Sequence, residues 1–290
     1  MKRLQISLDP IEVYDVCVSG VRDELLACRL QGARVEMLEA FRSYNALASM
    51  NQLFTLPRSA WGHGEQLVIA TMTKEELVDL YSTYMAGRGT PGRSYYDRLM
   101  TQTPHTKCPY CGFGQVSTLD HFLSKALYPA FSVLCTNLVP ACVDCNGGRG
   151  AMEAREECQI LHPYFEEPRI EQDVWLFAEI IESTPVSVRF YVAPPAAWAE
   201  DLALRTHNHF REFGLARRFS IEAASELAEL ADLLTLLGTP EERNQQLTQK
   251  ALVERGSSRR NSWKAALYES LAASVWYQIE GYRQMATQFA

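Results

Sequence analysis

The sequence predicts an α+β chain, mainly helical, in which a small central module is flanked by helical N- and C-terminal regions. Three observations lead there. Two CxxC pairs, Cys108/Cys111 and Cys142/Cys145, frame residues 107–150. Apolar residues recur at helical spacing over much of the remaining chain. Period-two alternation is confined to short stretches. The expected division is 1–100 as a mostly helical region, 101–165 as the module, and 166–290 as a hairpin plus helices. At 290 residues, 47% of them hydrophobic, the chain can bury the core of one large or two modest domains.

Taken in order, residues 4–21 alternate apolar and polar positions and predict a strand or two. Residues 22–51 predict two helices broken at Gly32, and 55–64, with Pro57, Gly62 and Gly64, predict a loop. Thr73 signs a helix over 73–85: it stands at the N-cap position, Glu75 and Glu76 fill the first turn, and Leu77, Leu80 and Tyr84 share a face. Residues 88–98 interleave cations with Tyr95 and Tyr96. That pattern suits a nucleic-acid contact or, equally, a short helix packing its tyrosines. His63 reads as a loop histidine, and His105 as a spare beside a ligand set already full. Beyond the module, 173–181 and 186–192 predict a hairpin, and 198–213 a helix whose His207 and His209 are too close in sequence to share a face. Ser220 is expected to cap a helix with Ile221, Ala224, Leu227, Leu230, Leu234 and Leu237 inward, closed by Gly238. Thr239-Pro240 starts the next helix. A last helix over 262–285 carries Trp263, Leu267, Leu271, Val275, Ile279 and Tyr282 as a stripe.

The cysteines set the chemistry. Two CxxC turns supply the four thiolates that tetrahedral zinc takes in closed structural sites. Their separation implies that something is threaded between them. Threaded there are Asp120-His121 and Asn137, and Asn146 follows Cys145 directly. A carboxylate such as Asp120 suits a hard divalent cation, Mg²⁺ or Mn²⁺, and the amide oxygen of Asn146 is a neutral hard ligand for the same ion. A neutral imidazole at His121 can take a proton from water. One cation and one base are the minimum for hydrolysing a phosphodiester. Asn146 is expected at the passage from the second cysteine turn into a helix with its body over 151–159. Asn137 is placed to hydrogen-bond backbone and fix the loop that carries His121.

The pattern CPYC, LDH, NLVPAC and CxxCN resembles the HNH, or ββα-metal, nucleases, in the HNN subgroup whose last histidine is an asparagine. The likeness runs over 101–163, about a fifth of the chain. It implies a central ββα-metal module with His121 as general base, Asp120 and Asn146 as ligands of the catalytic ion, Asn137 as the orienting asparagine, and the four cysteines as structural zinc ligands. Many family members have Pro where Ser124 stands, and a Lys in the helix where this chain has Gly147-Gly148-Arg149-Gly150. The phosphate-contacting residue is therefore open, with Lys125 and Arg149 as candidates against a reading of both as solvated charges. The helical surroundings, including the Ser262–Tyr268 segment, resemble nuclease subunits of bacterial anti-phage systems of the Septu type. That implies a partner protein, an ATPase of the ABC or OLD-like sort, and a role in defence.

Net charge is −7. A nuclease that grips long DNA unaided usually has a basic surface, so either a local basic face or a partner supplies affinity. Lys250, Arg255, Arg259, Arg260 and Lys264 are the clearest basic cluster, with Arg259 and Arg260 as candidate phosphate contacts. The N-terminus carries no export-like pattern and no apolar run is long enough to span a bilayer, so a cytoplasmic location, no membrane contact and reduced thiols at Cys17, Cys28, Cys135 and Cys158 are expected. The expected activity is metal-dependent cleavage of DNA, less so RNA. The competing reading is a zinc-stabilised nucleic-acid-binding or adaptor subunit without catalysis of its own.

Overall fold

Asp9 and Pro10 decide the first element. In the computed structural model, which describes residues 1–149, 153–256 and 260–286, the Asp9 carboxylate caps Ile11 N–H at 3.0 Å and Pro10 opens helix α1 (Pro10–Ser19). This corrects the expected strand over 4–21. The alternation ends at an Asp-Pro start signal, and Val13, Tyr14, Cys17 and Val18 then fall on one helical face. Only the first residues are extended: Lys2 N–H donates to Pro109 O at 2.7 Å, and Leu4 N–H to Pro163 O at 2.8 Å.

The molecule is mixed α/β, mainly helical, with three two-stranded antiparallel sheets among the described residues. It divides into two compact units, Lys2–Glu166 and Glu167–Ala290. In the first, α2 (Glu24–Gly32) and α3 (Arg34–Ser49) follow α1, split at Gly32 and Ala33 as the sequence predicts. A small hairpin, β1 (Leu67–Ile69) and β2 (Met72–Thr73), leads into α4 (Lys74–Asp79). Thr73 and Glu76 close a reciprocal capping box on α4. The helix then widens into a π turn over Leu80–Met85. After α5 (Arg93–Met100) come β3 (Thr118–His121), β4 (Leu138–Ala141) and α6 (Val143–Arg149). In α5, Arg93 stacks on Tyr96 and Arg98 on Tyr95, while Tyr95 donates to Glu12 at 2.5 Å, so the interleaved cations and tyrosines include intramolecular packing.

In the second unit, α7 (Arg169–Gln172) precedes a hairpin of β5 (Leu176–Ile181) and β6 (Ser187–Val192), paired from Leu176↔Val192 to Ile181↔Ser187. Then follow α8 (Glu200–Glu212), α9 (Leu215–Thr235), α10 (Pro240–Glu254), α11 (Trp263–Ala273) and α12 (Arg283–Ala286). Two expectations are corrected here. α9 begins after Gly214, so Ser220 is interior to it, donating to Val188 O and Ala216 O. The buried stripe is Phe219, Ala223, Leu227, Leu230 and Leu234, while Ile221 and Ala224 face solvent. The last helix is also interrupted: α11 ends at Ala273, a π turn spans Tyr277–Gly281, and Val275 and Ile279 are exposed rather than part of a stripe.

The phase of α9 is testable by thermal denaturation. Leu230→Ala should cost about 2–5 kcal/mol, and Ile221→Ala no more than about 0.5 kcal/mol. Comparable losses at both positions would restore the phase expected from Ser220.

Candidate metal centre and adjoining polar site

The four sulfurs of Cys108, Cys111, Cys142 and Cys145 lie within 4.8 Å of one another, all on buried residues. A tetrahedron of sulfurs each about 2.3 Å from zinc has edges of about 3.8 Å. The Cys111–Cys142 separation is 3.9 Å. Local backbone makes this convergence possible. Gly112 takes a left-handed φ of +79° and donates to Cys108 O, Cys108 N–H donates to Gly114 O, and Gly114 N–H points at Cys111 Sγ at 3.3 Å. A methyl group on Gly114 would stand 2.7 Å from Cys142 Sγ, so this glycine is needed for space. Contact with Cys108 first pulls the Cys111 thiol down to about 7 and Cys142 further down, whereas Cys108 and Cys145 are pushed up by their thiol neighbours. The donor set fits a zinc ion held by four thiolates.

Of the other thiols, Cys17 and Cys135 are buried and Cys28 and Cys158 exposed. His105 lies outside the four-sulfur cluster.

Strands β3 and β4 pair with Asp120 opposite Val139 and His121 opposite Leu138. Alternation places Thr118 and Asp120 on one face and His121 on the other. Asn146, in the second turn of α6, donates through Nδ2 to Thr118 Oγ1 at 3.2 Å. Asp120, only 5% exposed, accepts from Tyr110 of the first CxxC turn at 2.9 Å. The carboxylate and carboxamide thus border the same side of the hairpin. Asn146 stands within the helix at 143–149 and not ahead of one; of the expected helix over 151–159, residues 151 and 152 lie outside the described residues and the rest forms only a short turn at Glu156–Cys158. Cys145 and Asn146 are consecutive on it, so the thiol cluster fixes where that carboxamide stands.

On the other face, His121 Nε2 is 2.9 Å from Ser132 O. A carbonyl only accepts, so Nε2 carries the proton and Nδ1 holds the lone pair in the neutral ring. Burial pushes this imidazole down to about 3, against the Ser132 hydrogen bond and with the Lys125 charge adding to the effect. The ring meets Tyr81 edge-on, centroids 4.4 Å apart. Lys125 Nζ sits 4.7 Å over the same Tyr81 ring and donates to Ser82 Oγ at 2.8 Å; burial lowers its affinity for a proton. Tyr81 is itself pushed up, by burial first, with Tyr96 and Asp120 adding. The phenol on the π turn is thereby a direct neighbour of His121. Nothing in its sequence surroundings marks it, because the contact spans 40 residues and depends on the π winding.

Asn137 is fully buried, its side chain joined to three backbone groups and one hydroxyl. Oδ1 accepts from Leu123 N–H at 2.8 Å and Tyr44 Oη–H at 2.9 Å, and Nδ2 donates to Leu123 O and Phe131 O. Tyr44 Oη is 3.1 Å from His162 Nε2, and Tyr164 N–H donates to His162 Nδ1, which assigns the Nε2 proton to the Tyr44 contact. This chain ties α3 to the loop between β3 and β4. Sequence reading finds Asn137 but not its hydrogen-bonded link to Tyr44 and on to His162, which exists only across 93 and 118 residues.

The remaining candidates sit elsewhere. The side chain of Arg149 and all of Arg259 lie outside the described residues. Arg260 belongs to the second unit and donates to Gln172 O. Its neighbours in sequence are also engaged: Lys264 pairs with Glu226 at 2.7 Å, Arg255 with Glu269, and Lys250 with the Tyr268 hydroxyl.

Fold and site together define a mixed α/β protein built on a buried four-cysteine cluster of the kind that holds a metal ion. The chain belongs to the family of protein ea31 of Escherichia phage lambda, with which it is 33% identical over 237 residues, 79% of each chain. A shorter likeness, 30% identity over 87 residues, links it to Septu protein PtuB of Bacillus thuringiensis and covers 28% of this chain and 34% of that one. No family model matches, and no solved structure does. No helix among the described residues is long and apolar enough to cross a membrane.

Purified protein should carry about one zinc per chain by elemental analysis, and Gly114→Ala should lose it. Full zinc retention in that variant would contradict the packing above. Asn137→Ala should cost about 3–5 kcal/mol in a denaturant melt, since it strands several buried partners. A loss below about 1 kcal/mol would show that the polar chain adds little.

Proposed function

We propose that this protein is a metal-dependent endonuclease of the HNH type, cutting phosphodiester bonds of DNA, with its active site in a ββα module formed by β3, β4 and α6. One juxtaposition carries the reading. An imidazole anchored through Nε2 closes the strand that bears Asp120, and Asn146 reaches the Thr118 on that carboxylate's face. Asp120 and Asn146 offer hard oxygen donors and would hold Mg²⁺ or Mn²⁺, which when bound neutralises charge on the phosphate and its leaving oxygen. His121 is the last residue of β3, so although its ring lies on the face opposite Asp120 the strand end lets the two share one site; neutral at pH 7, it presents the Nδ1 lone pair and takes the proton of the attacking water. Ser132 O fixes the tautomer, and Asn137 fixes the loop on which Ser132 stands, through Phe131 O. Lys125 shares the Tyr81 ring with the imidazole, and its role is to bind a non-bridging phosphate oxygen.

The likeness to PtuB supports a defence role in which a partner, of the ATPase kind the family pattern implies, controls cutting. The net charge of −7 favours such a partner as the source of affinity for nucleic acid. The same charge also suits a second reading, a zinc-stabilised adaptor without catalysis. Cleavage separates the two. Plasmid incubated with Mg²⁺ or Mn²⁺ should be nicked or linearised by the wild type, alone or with its partner, and His121→Ala should lower the rate at least about 100-fold. Unchanged cutting by that variant removes His121 from the mechanism. No cutting by the complete complex leaves the adaptor.

A further inference from the structure

Trp61 is 66% exposed, whereas Trp175, Trp198 and Trp263 are all below 9%. The backbone on either side of it is held firmly. Ser59, 5% exposed, donates its N–H to Leu127 O at 2.8 Å, and Ala60 N–H donates to Gln66 Oε1 at 3.0 Å. Lys74, 7% exposed, turns its ammonium under the loop and donates to Ala60 O at 2.7 Å and Gly62 O at 2.8 Å. Gly62 and His63 are both left-handed, with φ of 75° and 49°, and Glu75 N–H donates to Gly64 O. A buried ammonium and a left-handed non-glycine residue both oppose folding. Here they fix a loop whose tip is a large apolar ring left in water.

The loop also has a definite address. Its Ser59 anchor is Leu127, two residues from Lys125. Lys74 opens the helical run that carries Tyr81, seven residues and about 10 Å further on. Its exposed polar groups are engaged, His63 hydrogen-bonded with Glu65 at 3.2 Å and Arg58 paired with Glu153 at 2.7 Å, which leaves the indole as the group the loop offers to a ligand. We infer, on the reading of the site as a nuclease, that Trp61 is a stacking platform for an unpaired nucleobase, and that the favoured substrate is single-stranded or locally opened DNA. Every base has a face to stack, and ordering the loop beforehand removes that cost from binding.

The test is fluorescence anisotropy with labelled oligothymidylate and with the same strand annealed to oligodeoxyadenylate. Binding is measured in the His121→Ala background, and in parallel with wild type in Ca²⁺, so that cleavage does not enter. Trp61→Ala should weaken single-strand binding about 5- to 150-fold, Trp61→Phe should keep most of it, and duplex binding should change by less than about twofold. The melting temperature should not move, because the ring is exposed. Equal single-strand affinity in Trp61→Ala overturns the inference while leaving the nuclease reading intact. So does loss of a protein partner with oligonucleotide affinity unchanged. A parent protein that binds neither strand form, with or without its partner, overturns both.

Discussion

Four sulfurs brought within 4.8 Å of one another form the constraint on which the first unit depends. Thiols gather so closely in a buried place when a cation draws them together as thiolates, and the chain is shaped to allow it by a left-handed Gly112 and a Gly114 that leaves room for Cys142. The consequence reaches past the cluster. Tyr110 stands between the first pair of cysteines and holds Asp120, and Asn146 follows the last cysteine and touches Thr118. Both of the candidate site's oxygen donors are therefore located by residues one or two positions from a sulfur.

A second, weaker lock works from the opposite side. Asn137, Tyr44 and His162 form a fully buried polar chain, and its members gain from low dielectric only because each is satisfied. It joins a helix near the N-terminus, the loop between the two strands and the segment that leaves the module. The hairpin is four residues per strand, too short to be stable by its own ladder. Its shape is set by the cluster at one end and by this chain at the other.

The features legible in the sequence were mostly local. The Thr73 cap, the break at Gly32, the hairpin near 176–192 and the turn within each CxxC pair involve residues near one another in the chain, and each forms as its spacing implies; the meeting of the two pairs across 31 residues is the exception, legible because four thiols share one ligand chemistry. Where two local signals compete, reading fails. Alternation before Asp9 concealed the Asp-Pro start of α1, and Ser220 imitates a cap although a left-handed Gly214 had already begun the helix. Contacts across long separations left no trace at all: Tyr81 against His121, or His162 against Tyr44. The basic residues near 250–264 illustrate another limit, since a run of cations says nothing about the acids and carbonyls that fold against it.

The π turn at Leu80–Met85 has a consequence for how such a site can change over time. A π turn holds one residue more than regular winding, so removing a single residue would let the helix close normally while leaving the turns on either side in nearly the same register. The change would fall on the turn itself, where the wider winding sets the Tyr81 ring against His121 and beneath Lys125. Descendants of this chain could lose or regain that arrangement through one codon's insertion or deletion, with no side chain at the site altered.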